Sequence, residues 1–290
     1  ILNGTSGIAV GFATNILNRN PKDVVDACIS EVNGKRMKTL APWIEEFKGT
    51  FTRDLENPKT WKISGSYQVI NTNTVKITAI PPNYTYERYE EILNLLQEKG
   101  IIISYDDNSS ETIEYVLKFK RSILKDLISK DRLERALRLN TQETENLTTI
   151  DENGELKIFN KAEEIVKHFV SVRLGWYQTR KDYLINKTEK QLALVTNKAK
   201  FIKDIIDGKL KINNVPKDKI IAYLKTNDYD TVHGSYDYLL SMAIHSLTKE
   251  RYEKLLQEKE GCIIALKTLK ATDPKEMYLT DLKKLKAAIK

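Results

Sequence analysis

Residues 161–207 contain no proline and no pair of glycines, so nothing in this stretch forces a break. Along it Ile165, Phe169, Val172, Trp176, Tyr183, Leu192, Val195, Ala199, Ile202 and Ile206 recur largely at threes and fours, which predicts one continuous amphipathic helix. At ~1.5 Å per residue it extends roughly 70 Å, more than one compact domain can cover. It needs a long partner. One is available near the C-terminus, where Tyr252, Leu255, Cys262, Leu266 and Leu269 repeat the spacing with Lys259 as the one polar lapse. Residues 161–207 and 248–290 are therefore expected to be the two arms of an antiparallel coiled coil. Between them, residues 208–247 carry Pro216 and Gly234 as breaks and an apolar cluster of Tyr236, Tyr238, Leu239, Leu240, Met242 and Ile244. This segment is expected to be a small helical knob. Its cluster either closes a mini-core or forms the self-complementary patch of a two-fold dimer.

The first 160 residues have a different texture. Pro21 stands where a first-turn proline is tolerated, and Val24, Val25, Cys28, Ile29 and Val32 follow at helical spacing. Trp61-Lys62-Ile63, Tyr67-Gln68-Val69 and Val75-Lys76-Ile77 alternate as strands do, and Tyr115 to Phe119 reads as another strand. Residues 85–99 read as an amphipathic helix closed by Gly100, and residues 132–139 as a short helix. Apolar residues flank Asn153-Gly154, the strongest short-range hairpin signal. The expected architecture is an α/β base over residues 1–160, a helical stalk and a terminal knob.

Composition narrows the function classes. No apolar run approaches the ~18 residues of a membrane span. Cys28 and Cys262 are far apart and lack metal-ligand spacing, so neither a zinc site nor a disulfide framework is indicated, and a reducing, cytoplasmic setting is expected. His168, His233 and His245 also stand alone, and Trp43, Trp61 and Trp176 read as core anchors. The formal charge of +7 suits a polyanionic partner without requiring one. Lysines at 187, 190, 198, 200, 203, 209, 211, 217 and 219 concentrate that charge on the far stalk and knob, either as a solvated face or as a diffuse surface for phosphates.

The segment from Asn3 to Asn15 gathers Gly4, Gly7 and Gly11 among small polar residues. It lacks the Gly-Lys-Ser/Thr of a phosphate-binding loop, and Ile8 stands where a nucleophile elbow needs glycine. Residue types alone favour a tight structural turn. The run Asn3-Gly4-Thr5-Ser6-Gly7-Ile8-Ala9-Val10-Gly11-Phe12-Ala13-Thr14-Asn15-Ile16, however, is similar to the segment that follows the catalytic tyrosine in gyrase A subunits and eukaryotic topoisomerase II. Residues 115–121 resemble the tower strand of these type IIA DNA topoisomerases, and residues 172–183 the start of their coiled coil. Residues 201–209 and 236–252 resemble the far arm and exit-gate region, all in the family's order.

The resemblance implies an α/β tower domain followed by a long antiparallel coiled coil capped by a small helical exit-gate domain. It implies that Ile8 wedges between base pairs of a bent duplex, with Ser6, Thr14, Asn15 and Arg19 beside it on DNA, and that Tyr236 to Ile244 form the homodimer contact. The enzyme implied is an ATP-dependent one that cleaves one duplex, passes another and religates. Its nucleophilic tyrosine is expected upstream of Asn3, so no catalytic residue is assigned within the chain, which alone is expected to be inactive. No metal or cofactor is expected on these residues, because Mg2+ and ATP belong to a TOPRIM and an ATPase domain or subunit. The short exit-gate segment, with no DNA-wrapping domain after it, is most similar to phage-encoded medium subunits, which implies a host-cytoplasmic setting and relaxation rather than supercoiling. The alternative from another class is a non-catalytic DNA-bending or clamp protein using the same wedge.

Overall fold

Alternation over residues 74–79 places Val75, Ile77 and Ala79 on one side of a strand and Thr74, Lys76 and Thr78 on the other. In a computed structural model this strand, β6 (Thr74–Ala79), lies inside a four-stranded antiparallel sheet. Its neighbours are β5 (Ser66–Asn71) and β8 (Tyr115–Lys118), with β7 (Ser104–Asp107) beyond β8. The structure describes residues 1–289; Lys290 and the side chain of Ile244 lie outside the described residues. Two units are recognised: Ile1–Val172 with Leu282–Lys290, and Arg173–Asp281.

The first unit's main core lies on the buried face of that sheet. Helix α2 (Tyr86–Glu98), capped by the Thr85 hydroxyl accepting from the Arg88 N–H, lays Tyr89, Ile92, Leu93 and Leu96 against Val75, Ile77, Tyr115 and Leu117. The helix runs out at Lys99 and Gly100, as its sequence predicts. Helix α3 (Arg121–Ser129) adds Leu124, and α4 (Leu133–Ala136) adds Leu133. The expected helix over 132–139 shrinks to those four residues of α4, and Arg138 beyond it has a left-handed backbone. A three-stranded sheet, β3 (Thr50–Arg53), β4 (Thr60–Ser64) and β9 (Asn140–Thr144) in that order, buries Trp61 and Ile63. Gly65 joins the two sheets where a Cβ would stand 2.3 Å from the Ala79 carbonyl oxygen, so only glycine fits.

Two hairpins complete this unit. The run from Asn3, which its residue types suggest is a tight turn, forms such a turn between two strands, β1 (Thr5–Ile8) and β2 (Ala13–Ile16), followed by α1 (Pro21–Val32). The second hairpin is β10 (Thr148–Ile150) and β11 (Leu156–Ile158). Its turn does contain Asn153-Gly154, but spans Asp151 to Glu155, with the Asp151 carboxylate accepting from the Asn153 and Glu155 N–H groups at 2.9 Å each.

Helix α5 (Ala162–Ile206) is unbroken, as its pattern predicts, but its stripe is displaced by one residue near its start. Val166, Val170 and Tyr177 are buried, while Phe169, Trp176 and Tyr183 are more than half exposed. Phe169, Trp176 and Tyr183 are therefore not in the packed seam, and Trp176 anchors no core.

In the second unit α5 packs antiparallel to α8 (Lys249–Ala271) and α9 (Pro274–Ala288). Leu255 meets Val195, Ala199 and Ile202; Lys270 pairs with Glu189 at 2.7 Å; Arg180 pairs with Asp281 at 2.7 Å. Contacts descend along α5 as they climb the returning strand of helix. That return is not the single arm expected over 248–290: Thr272 and Asp273 break it ahead of Pro274, which cannot donate to a preceding turn. The knob consists of α6 (Lys217–Thr226), the short α7 (Asp237–Leu240) and a 3-10 turn at Ile244–Ser246. Phe201, Leu210, Ile220, Leu224, Tyr229, Tyr236 and Leu239 form its core. No helix among the described residues is long and apolar enough to cross a membrane.

Candidate nucleic-acid interface

A hairpin alternates its side chains between two faces, and register decides which residues act together. Thr5 pairs with Ile16, Ser6 with Asn15, Gly7 with Thr14 and Ile8 with Ala13. Ser6, Ile8, Ala13 and Asn15 therefore share one face, while Thr14 lies on the other with the buried Ile16. The turn is closed by the Ala9 N–H donating to the Phe12 carbonyl at 2.8 Å, and Gly11 takes φ +89° there, which other residues rarely adopt. At this tip Ile8 is 94% exposed and Val10 fully exposed, with Phe12 half exposed beside them. Three large apolar side chains standing in water on one projecting turn mark an interaction site rather than a core. Val10 and Phe12 are not among the residues that the sequence singles out, although they alternate in the same run.

The base of the hairpin inverts this polarity. Arg19 is completely buried and does not join the surface group: its guanidinium forms a two-pronged pair with Glu145 at 2.7 and 2.6 Å. It also donates to the Leu40 and Leu17 carbonyls, and lies 5.8 Å from the Trp61 ring centre. Glu145 accepts further from the Leu17 N–H at 2.8 Å and from Trp61 Nε1 at 2.9 Å. Every charge in this cluster is met, the condition under which a buried pair is tolerated. A second link is made by Asn15 and Asn146, which exchange backbone bonds of 2.9 and 2.8 Å and so tie β2 to the chain entering β10. The Asn15 side chain donates to the Thr144 carbonyl at 3.2 Å, and the Thr14 hydroxyl to the Asn146 carbonyl at 3.4 Å. Of the five residues expected on DNA, Ser6 and Ile8 are thus free at the surface, Asn15 and Thr14 are partly engaged with Thr144 and Asn146, and Arg19 holds the hairpin from inside.

Available positive charge lies elsewhere. The loop after α1 carries Lys35, Arg36 and Lys38, all exposed and in no ion pair among the described residues. Its far end returns through Pro42 to bridge Arg19. The run Gly34-Lys35-Arg36-Met37-Lys38 is a visible charge cluster, the one signal in the sequence that could have pointed to these cations.

The expected self-association residues are placed differently. Tyr236 and Leu239 are taken up by the knob's own core, at 8% and 1% exposure, and Tyr238, Leu240 and Met242 pack partly against it. Ile244 is expected with them, but its side chain is outside the described residues. The lysine face is also less uniform than its sequence suggests: Lys200 donates to the Asn227 carbonyl and sits 4.4 Å from the Tyr229 ring centre.

Four tyrosines are poorly disposed to ionise. Burial and then the nearby Asp107 and Glu90 push the Tyr115 hydroxyl up to about 12, and burial followed by Asp230 pushes Tyr238 up to about 12. Burial also raises Tyr89 and Tyr229. These are the reverse of an activated nucleophile. Among the described residues no three His, Cys, Asp or Glu side chains gather as a metal site.

A sequence profile describing the A subunits of DNA gyrase and topoisomerase IV matches residues 1–286. The chain is 30% identical to DNA topoisomerase 2 of Plasmodium falciparum, an alignment covering all of this chain and 23% of that protein. It is 29% identical to the DNA topoisomerase medium subunit of Enterobacteria phage T4, over 99% of this chain and 64% of the phage protein. Among solved structures, the DNA-binding, cleavage and re-ligation domain of Plasmodium falciparum topoisomerase II superposes with a TM-score of 0.81 at 30% identity, covering 99% of this chain and 43% of that one. The chain thus spans about a quarter of the DNA topoisomerase 2 relatives and about two-thirds of the phage protein. With a profile matched along nearly its full length, the chain belongs to the family of DNA gyrase and topoisomerase IV A subunits.

Proposed function

We propose that this chain bends duplex DNA as part of an ATP-dependent type IIA topoisomerase, with Ile8 as the wedge. The carrying observation is the exposed apolar tip of Ile8, Val10 and Phe12 on a hairpin whose base is fixed by the buried Arg19–Glu145 pair. An apolar side chain that enters a base step costs a few kcal/mol of stacking, and wider protein contact with the bent duplex offsets it. Such a wedge works only on a rigid support, which the Glu145 contacts supply. Ser6 faces the same way as Ile8 and suits sugar or phosphate contacts, while Lys35, Arg36 and Lys38 would neutralise phosphates without reading sequence.

In this reading α5 and α8 are the arms of a coiled coil, and residues 208–247 are the exit gate of a homodimer. With Tyr236 and Leu239 internal, the contact between copies falls to the partly exposed Tyr238, Leu240 and Met242 and their surroundings. The lysines of the far arm and knob attract a passing duplex diffusely. No tyrosine of the chain is assigned as nucleophile; strand cleavage, Mg2+ and ATP are supplied by other parts of the enzyme, in the host cytoplasm if a phage encodes it.

The test is end-to-end energy transfer on a doubly labelled duplex of about 30 base pairs. The unaltered chain should shorten the end-to-end distance. Ile8→Ala should abolish most of that change while leaving binding within about threefold, because phosphate contacts carry most of the affinity. Unchanged bending by Ile8→Ala removes the wedge from the mechanism.

A further inference from the structure

We propose that the groove between α3 and the β5–β6 turn docks an acidic amphipathic helix from a partner protein. The groove holds about 610 Å³, within the range of sites that bury several side chains. Its floor is Leu124, and its apolar walls are Val69 and Ile128, 46% and 47% exposed. No carboxylate lines it. The only charged residues in its lining are Arg121 and Lys125, and neither belongs to an ion pair among the described residues. The neighbouring Lys130 and Asp126 neutralise each other at 2.6 Å, so the cationic character of the rim is not cancelled locally.

The spacing defines the shape of the occupant. Arg121, Leu124, Lys125 and Ile128 stand at i, i+3, i+4 and i+7 on α3, an apolar ridge with cations alongside. A helix with apolar residues at the same intervals and carboxylates flanking them is its complement in both shape and charge. Strand addition is the other way to cover this place, because β5 is a sheet edge. It is disfavoured by the register shifts at Ser66/Tyr67 and Val69/Asn71, which twist an edge away from a pairing strand. Duplex DNA would satisfy the two cations but has no apolar side to lay over Val69 and Ile128, which would stay wet.

The probe is a fluorescein-labelled helical peptide with leucines at i, i+3, i+4 and i+7 and glutamates elsewhere, titrated with the 290-residue chain and read by anisotropy. Two controls carry lysine for glutamate, or serine for leucine. The acidic leucine probe should bind at least about tenfold more tightly than either control. Ile128→Ser should weaken it by about tenfold, the effect of one apolar side chain. Arg121→Glu combined with Lys125→Glu should invert the preference towards the lysine probe, a gain that misfolding cannot produce. Equal binding of the three peptides overturns the proposal, as does failure of the charge reversal to invert them. It is equally overturned if Ile128→Ser weakens a plain duplex oligonucleotide as much as the peptide, since the groove would then be a nucleic-acid surface.

Discussion

The tip of the first hairpin and the knob both begin as short apolar runs in the sequence, and the structure sends them in opposite directions. Ile8, Val10 and Phe12 stand in solvent, whereas Tyr236 and Leu239 are enclosed by Phe201, Ile220 and Leu224. The difference lies in the company each run keeps. The knob residues are flanked by α6 and by the end of α5, which supply facing apolar surfaces. The hairpin tip is a tight turn on a narrow ribbon, and among the described residues no element folds over it. An apolar run therefore signals a binding surface only where the local chain cannot cover it.

The sharpest way to break this contrast is at the hairpin's base. Glu145→Ala leaves Arg19 buried without its partner and should cost about 3–5 kcal/mol in chemical denaturation, together with amide protection across β1 and β2. A loss below about 1 kcal/mol would mean that the cluster does not hold the hairpin. Next in size is Leu239→Ala, which should cost about 2–4 kcal/mol because a fully enclosed side chain is replaced by a void. If sedimentation shows instead that the mutation separates copies while stability is retained, the knob's cluster faces another chain and the contrast fails.

The second hairpin offers a smaller effect with a defined sign. Asp151 is held below the usual carboxylate range by accepting the Glu155 N–H and then the Asn153 N–H. Its contribution is thus present above the ordinary value of ~3.9 and is lost as pH falls through the lowered folded-state value. Amide signals of Asn153 and Glu155 should hold their native positions down through pH ~4 and move only below it; movement near neutrality would contradict the assignment. The least effect belongs to Ile8→Ala, whose stability should stay within about 0.5 kcal/mol of the parent by thermal melting. A larger loss would show that Ile8 packs rather than projects.

Much of the fold could be read from residue order. The uninterrupted 161–207 pattern became α5, Thr85 and Gly100 bracket α2, Pro21 opens α1, and Asn153-Gly154 lies in a turn. Ile8 was legible only through resemblance, since its composition fits a plain turn equally well. Other features were not legible for physical reasons. β9 is a short strand whose identity comes from pairing with a distant partner, as Thr141 does with Ile63, and β3 and β7 are four-residue edge strands with too few alternating positions to show a pattern. The displacement of the α5 stripe escaped because Phe169, Trp176 and Tyr183 mimic a seam at the right period while Val166, Val170 and Tyr177 fill it. Arg19 looked like a DNA contact because a cation beside a binding motif carries no mark of its burial; its carboxylate partner lies in another element altogether.

That separation also sets an order of events. Arg19 and Glu145 are 126 residues apart, so their pairing closes a very long loop, whereas helices and local turns form far sooner. Synthesis towards the C-terminus delivers the apolar tip well before the carboxylate that secures it. A lone two-stranded ribbon is marginally stable. The hairpin, made well before Glu145, is therefore late to acquire a fixed shape, and until the β3–β4–β9 sheet is in place its three exposed apolar side chains are an invitation to aggregate or to be held by a chaperone.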